Sequence, residues 1–181
     1  LKKNIHKKDI ITETTNSNYQ QNMGRIAMQI SNATTHADWV EVYRSLVYWE
    51  LELEHADNHM GDMLRMQKQE ANNLFAKYIK RNYEEWFSSP HRVYNHSPLR
   101  GQENDHPMLS PHIFRDRIFP LLDQNEKVVL IVFDNFRYDQ WKAISHELSG
   151  EFSFEEDLYY SILPTATQYA RNAIFSGLMP N

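Results

Sequence analysis

The sequence contains no cysteine, which excludes disulfide bonds and cysteine-ligated zinc sites. It also has no apolar run near the roughly 20 residues that a membrane-spanning helix needs, so we expect no membrane insertion. The first ten residues lack the apolar core and the cleavage site of a signal peptide. The absence of cysteine favours an intracellular protein.

Positive charge is scarce as well, with 19 lysines and arginines against 24 aspartates and glutamates. The resulting net charge of −5 excludes nucleic-acid binding driven by bulk charge alone. No helix with clustered arginine and lysine is visible, which counts against a DNA-binding effector. Hydrophobic residues make up 41% of the chain, enough for a buried core. Because position 1 is not methionine, we expect the chain to be a piece of a longer protein.

Helical periodicity characterises the N-terminal part of the chain. Residues 1–10 are predicted to end a basic amphipathic helix, and the polar residues 12–18 to form a linker or a helix cap. A helix-start signal at Thr34–Thr35–His36–Ala37–Asp38 opens a periodic segment that runs to Leu53. Further helices are predicted at about residues 19–31, 60–87 and 113–122.

Residues 88–111 change the character of the sequence, because they hold four prolines and a glycine. Such a stretch predicts an exposed connection, and its length predicts a domain boundary. Ser110 and Pro111 at its end are typical of a helix start, with serine as the N-cap and proline at the first helical position.

The C-terminal part has the pattern of an α/β fold. Residues 128–133 are a continuous run of β-branched and other apolar residues, typical of a strand buried on both faces. A helix at about 138–148, a strand at about 159–163 and a helix at about 168–176 follow. The predicted fold is therefore a helical middle domain followed by the first β-α-β-α units of a parallel sheet. We divide the chain into residues 1–18, 19–123 and 124–181.

Asp134 directly follows the six apolar residues of the first predicted strand. In an open parallel sheet, ligands bind beyond the carboxyl ends of the strands, and a carboxylate at that place suits a divalent cation. The alternative is an aspartate that caps the next helix. Position alone leaves both possibilities open.

Thr167 lies at the predicted start of the last helix. Unpaired N–H groups and the helix dipole favour anions at such a place. A hydroxyl there can act as a nucleophile on a phosphoryl group, or it can simply cap the helix. Arg171 falls one turn later on the same face, where it can contact phosphate oxygens or serve as an ordinary surface arginine.

Three motifs together resemble the alkaline phosphatase superfamily, and specifically its PglZ branch. In that superfamily a first strand ends in a metal-binding aspartate, and the nucleophile opens a helix that closes at a glycine ten residues later. The separation of Thr167 and Gly177 is ten positions, which favours Thr167 over Thr165 as the nucleophile. The motifs are Asp134-Asn135-Phe136-Arg137, Pro164-Thr165-Ala166-Thr167 and Ser176-Gly177-Leu178-Met179-Pro180.

The resemblance implies a metal-dependent phosphodiesterase or phosphatase with two zinc ions and a covalent phospho-threonine intermediate. Asp134 and Thr167 would be metal ligands, Thr167 the nucleophile, and Arg171 and Asn135 substrate-binding residues. The superfamily's other ligands would lie beyond residue 181, so the chain by itself is expected to be inactive. A nucleotide or oligonucleotide is the implied substrate.

The resemblance extends to PorX-type response regulators through residues 1–4, 39–54 and 159–180. These two-component regulators have a receiver domain, a helical middle domain and a PglZ domain, and they control type IX secretion. The resemblance to them implies a cytoplasmic location. Residues 1–18 would then be the end of the receiver and its linker. A sensor histidine kinase and secretion-system regulators are the implied partners, with homodimerisation on phosphorylation. The competing hypothesis is a non-catalytic interaction scaffold.

Overall fold

The computed structural model describes residues 2–54, 58–88 and 106–180, with side chains from Glu13 onward except at positions 58 and 88. Two compact units divide the chain. The helical unit comprises Leu1–Glu85 and Arg137–Phe152, and the C-terminal unit comprises Trp86–Phe136 and Ser153–Asn181. Our division at residues 18 and 123 stays a prediction.

Helix α1 spans Lys2–Asn32 without interruption, so the linker predicted at residues 12–18 is wrong. The hydroxyl and amide side chains of that stretch have lower helix propensity than alanine, but the difference is only tenths of a kcal/mol, about 0.5 per residue. Packing outweighs it, because Tyr19, Ile26 and Ile30 of the same helix are almost completely buried.

Helix α2 spans His36–Glu52 and begins at the predicted signal. Thr35 is the N-cap, and its side chain accepts a hydrogen bond of 3.1 Å from the Asp38 amide. The Asp38 carboxylate accepts in return from the backbone amides of Thr34 and Thr35, at 2.9 and 2.8 Å. These amide donors hold the pKa of Asp38 below its ordinary value.

Helix α3 spans Asn58–Asn82 and the short helix α4 spans Glu85–Ser88, so the single helix predicted at about 60–87 is broken near Tyr83. Helices α1, α2 and α3 pack against one another. The Tyr19 hydroxyl donates to Gln67 Oε1 at 2.8 Å in the middle of this bundle. The buried core consists of Tyr19, Ile26, Ile30, Trp39, Val42, Leu46, Trp49, Leu53, Met60, Leu64 and Ala71.

After residue 105 the described chain continues as short helical turns. A 3₁₀ turn at Ser110–His112 and a π-helical turn at Phe114–Ile118 precede helix α5 at Phe119–Asp123. The helix predicted at 113–122 is therefore present but irregular. The predicted exposed connection lies mostly outside the described residues, and its end at Leu109–Pro111 is buried.

Helices α6 (Tyr138–Leu148) and α7 (Thr167–Ser176) confirm the two C-terminal helix predictions. Helix α6 belongs to the helical unit and packs on α2. Helix α7 belongs to the C-terminal unit and packs on the turn at Ser110–His112, with Ala173 buried in the contact.

The predicted parallel sheet is wrong, since the described residues form no strand. Residues 128–133 are neither helical nor paired, and Val129, Ile131 and Phe133 are 84%, 68% and 69% exposed. The β-branched run favours an extended backbone, but a sheet also needs a partner that exchanges backbone hydrogen bonds. No such partner lies beside this run in the described part of the chain.

The second predicted strand, at 159–163, forms a single parallel bridge between Tyr160 and Leu109. Tyr160 donates its amide to the Met108 carbonyl at 2.8 Å, and Ser110 donates to the Tyr160 carbonyl at 3.2 Å. The segment therefore pairs with the stretch before the 3₁₀ turn and not with residues 128–133. Across the described ranges, no helix has the combined length and apolar character needed to cross a bilayer.

Candidate functional site

Thr167 is the first residue of α7, and the N-cap position before it is occupied by Ala166. The Ala166 carbonyl accepts from the amides of Tyr169 and Ala170 at 2.9 and 3.0 Å. Because alanine has no polar side-chain atom, this helix begins without a side-chain cap. The Thr167 side chain is half-buried at a helix start, where the first amides lack intrahelical acceptors.

Gly177 ends the same helix in the left-handed conformation, with φ of 67°. Its amide donates to the Ala173 carbonyl at 3.0 Å, and the amide of Leu178 donates to the Ser176 hydroxyl at 3.1 Å. Helix α7 thus begins at Thr167 and closes at Gly177, the register expected from the sequence motif.

Asp134 lies in a turn just after the exposed apolar run, and its side chain is 43% exposed. The next residue, Asn135, has a left-handed backbone with φ of 58°, a conformation that asparagine tolerates better than most residues. The Asn135 amide donates to Asp134 Oδ1 at 3.0 Å, which fixes one carboxylate oxygen toward the chain. The substrate-binding role of Asn135 stays a prediction.

Arg171 connects the two halves of the candidate site. Its Nη1 lies 3.4 Å from Asp134 Oδ2, and both side chains are about half exposed. Thr167 and Arg171 are four residues apart on α7 and therefore share one helix face. Within the described part of the chain, no hydrogen bond joins the Thr167 hydroxyl to the Asp134 carboxylate.

Arg137 does not take part in this group. It pairs in a forked geometry with Asp139, with its Nε and Nη2 at 2.9 and 2.6 Å from the two carboxylate oxygens. Hydrogen bonding from Arg137 lowers the pKa of Asp139, and the same bond raises the pKa of Arg137. The Arg137 amide also donates to Gln140 Oε1 at 3.0 Å, so this residue organises the start of α6.

Two buried polar residues lie in the turn on which α7 packs, and the sequence indicated only Ser110, as the cap of a helix start. Ser110 is fully buried, and its hydroxyl accepts from the Ile162 amide at 3.2 Å. His112 is 6% exposed, and its Nδ1 accepts from the Leu109 amide at 3.3 Å. Both satisfy backbone amides of the segments that flank α7, so their roles are structural.

The described residues assemble no complete metal site. They contain no group of three or more histidine, aspartate or glutamate side chains placed to hold a metal ion. Asp134 contributes one carboxylate, and a threonine hydroxyl is a poor ligand without further anionic donors. A dinuclear zinc centre needs donors beyond those that this part of the chain brings together.

Comparison with known protein families gives two matches. Residues 9–87 match the PorX response regulator linker domain, and residues 113–181 match the BREX system PglZ alkaline phosphatase-like domain. No curated protein matches the chain. The order of the two domains along one chain confirms the family expected from the sequence. The chain therefore carries a PorX response regulator linker domain followed by an alkaline phosphatase-like PglZ domain, the combination expected of a PorX-type regulator.

Proposed function

We propose that the chain is part of a two-component response regulator whose phosphatase-like domain hydrolyses phosphoric esters, with Thr167 as nucleophile. The observation that carries this proposal is the contact between Arg171 and Asp134, at 3.4 Å. It joins the aspartate of the first motif to the helix that begins at the threonine of the second motif. A carboxylate, a hydroxyl and a guanidinium are the groups that phosphoryl transfer requires.

The proposed chemistry uses these groups in two steps. The Thr167 hydroxyl loses its proton as its oxygen attacks phosphorus, and the bond from phosphorus to the leaving oxygen breaks as that oxygen takes up a proton. Water then hydrolyses the phospho-threonine, which regenerates the hydroxyl and releases the phosphorylated product. The first amides of α7 and the Arg171 guanidinium would stabilise the charge that develops on the phosphoryl oxygens. Two zinc ions, with Asp134 among their ligands and the remaining ligands outside the described residues, would supply the charge that activates the hydroxyl.

The regulatory part of the proposal rests on the linker-domain match. A response regulator linker joins a domain that accepts a phosphoryl group to an output domain. We accordingly propose that a sensor histidine kinase controls the activity, that phosphorylation drives homodimerisation, and that the output acts on type IX secretion. A nucleotide or oligonucleotide is the proposed substrate class, because the resemblance of the site motifs implies it.

The experiment compares hydrolysis of bis(4-nitrophenyl) phosphate by the complete zinc-loaded protein and by its Thr167→Ala variant. We expect a loss of at least about a hundredfold in kcat, because the variant has no nucleophilic oxygen. Thr165→Ala is the matched control, since Thr165 is exposed and lies before the helix cap. That control should keep the activity of the unmodified protein.

A second variant tests the metal ligand. Asp134→Asn should lower the zinc content of the complete protein, measured by atomic emission, whereas Thr165→Ala should not. Full activity in Thr167→Ala would remove the nucleophile assignment. If the unmodified protein also binds no zinc and cleaves no phosphodiester, the chain is an interaction scaffold and the enzymatic proposal is wrong.

A further inference from the structure

Helix α6 lies in the PglZ domain by sequence, but in the structure it is part of the helical unit. It lies within residues 113–181, which match the PglZ domain, yet it is part of the compact helical unit. There it packs on α2, which lies within residues 9–87, the match to the linker domain. The helix therefore joins the two family domains inside a single compact unit.

Two tyrosines form the centre of this contact. The rings of Tyr43 on α2 and Tyr138 on α6 have centroids 5.6 Å apart and are tilted by 35°. Lys142, one turn further along α6, places its ammonium 5.7 Å from the Tyr138 ring centroid. Aromatic pairs at such distances contribute beyond the apolar area that they bury. The contact holds the first turn of α6, because Tyr138 is the first residue of that helix.

Charged groups surround the Tyr43 hydroxyl on both helices. Burial raises the pKa of Tyr43, the carboxylates of Asp139 and Glu50 raise it further, and Arg137 opposes them. Asp139 and Arg137 lie at the start of α6, and Glu50 lies on α2. The influence of Asp139 and Arg137 on Tyr43 agrees with the ring contact, since both observations place Tyr43 beside the first turn of α6.

The first turn of α6 follows Asp134 closely in the chain. Arg137 is three residues after Asp134, and its carbonyl accepts from the Trp141 amide at 3.0 Å. Its own amide donates to Gln140 Oε1 at 3.0 Å. A contact that fixes the first turn of α6 therefore limits the backbone conformations of the residues immediately after Asp134.

We propose that α2 of the linker domain restrains the chain that follows Asp134, by holding the first turn of α6 through the contact of Tyr43 with Tyr138. Changes in the regulator's helical bundle would then reach the phosphatase-like domain through this helix. The inference rests on the proposed function only for the role of Asp134. The contact itself concerns residues of one compact unit.

The test is amide hydrogen exchange in this 181-residue chain, followed for the amides of Arg137 and Trp141. Tyr43→Ala should speed exchange at both positions about three- to tenfold, because the ring contact that protects the turn is lost. Tyr43→Phe keeps the ring and should restore the rate of the unmodified chain. Tyr48→Ala is the control, since Tyr48 is on the same helix and 54% exposed. It should leave both amides unchanged.

A double-variant comparison separates this contact from a general loss of stability. Tyr138→Ala should also speed exchange, and adding Tyr43→Ala to it should produce little further change. Unchanged exchange in Tyr43→Ala would overturn the proposal, and so would an equal acceleration throughout α1, α2 and α3. The measurement needs neither substrate nor zinc, so its outcome is independent of the Thr167→Ala assay.

Discussion

Gly177 has a backbone conformation that few other residues tolerate. Its φ of 67° puts it in the left-handed region, where it ends α7 by donating its amide to the Ala173 carbonyl. A side chain added there would have ordinary room, since the nearest atom, the Pro111 carbonyl oxygen, would lie 3.6 Å from the new Cβ. The cost of a substitution is therefore a matter of backbone strain rather than steric collision.

We expect Gly177→Ala to lower the free energy of unfolding by about 1–2 kcal/mol, the cost of a non-glycine residue in the left-handed region. Urea unfolding followed by circular dichroism measures the change. Gly150→Ala is the matched control, because Gly150 has no positive φ and no atom within 4 Å of the new Cβ. Equal effects of the two substitutions would contradict this account of the helix end.

The exposed ion pair between Asp134 and Arg171 contributes little to the stability of the fold. Their atoms are 3.4 Å apart and both side chains are about half exposed, so solvent screens the attraction. Such pairs contribute between nothing and about 1 kcal/mol to folding. The interest of this pair lies in which residues it brings together, since the sequence indicates Asp134 by its motif and Arg171 by its place one turn after Thr167.

At the scale of an element, α2 is the helix whose start was best specified by sequence. The hydroxyl of Thr35 and the carboxylate of Asp38 satisfy each other's backbone amides at its N-terminus. Removing the hydroxyl leaves an amide donor without its acceptor. The carboxylate adds an interaction with the positive end of the helix dipole.

Thr35→Ala should therefore lower the free energy of unfolding by about 1 kcal/mol, and Thr35→Ser should restore it. The pKa of Asp38 is lowered in the folded protein, so its contribution is present at neutral pH and is lost as the pH falls through that lowered value. Thermal unfolding at pH 7 and at pH 3 measures both effects. A serine variant as unstable as the alanine variant would show that the hydroxyl has no capping role.

The helical elements were predictable from sequence, because their signals are local. Helices α6 and α7 begin and end within a residue of the predictions, and Gly177 closes α7 as the motif implied. The interruption predicted at residues 12–18 failed because weak local propensity was outweighed by packing of the neighbouring Tyr19. The composition of residues 12–18 does not reveal tertiary contacts made by neighbouring residues.

The predicted sheet failed for a related reason. Residues 128–133 have the composition of a buried strand, but composition does not identify the segment with which a strand would pair. Tyr160 pairs instead with Leu109, a residue in the proline-rich stretch that sequence reasoning assigned to an exposed connection. The absence of the sheet does not separate the residues of the candidate site. Asp134 lies in the turn after residues 128–133 and Arg171 lies on α7, and the two side chains are in contact without a sheet.

For the whole molecule, the family domains and the compact units do not coincide. The linker domain ends at residue 87 and the PglZ match starts at residue 113, but α6 joins the helical unit. A boundary drawn from sequence separates segments by composition, whereas packing assigns α6 by the surface that it buries on α2. Truncations designed from the domain matches alone would therefore remove α6 from the bundle on which it packs.

Metal binding provides a prediction at the same scale. The described residues assemble no group of three metal-binding side chains that includes Asp134, so we expect Asp134→Asn to leave the effect of zinc on the thermal stability of this 181-residue chain unchanged. A ligand that binds only the folded state, at a concentration a hundred times its Kd, would stabilise that state by about 2.7 kcal/mol, a shift that differential scanning fluorimetry detects easily.

The measurement compares the unmodified chain with zinc, the unmodified chain with EDTA, and the Asp134→Asn variant with zinc. Saturable stabilisation that disappears in Asp134→Asn would mean that the chain alone completes a site around that carboxylate. The same titration on the complete protein should show stabilisation by zinc, because the proposed centre draws its remaining ligands from outside the described residues.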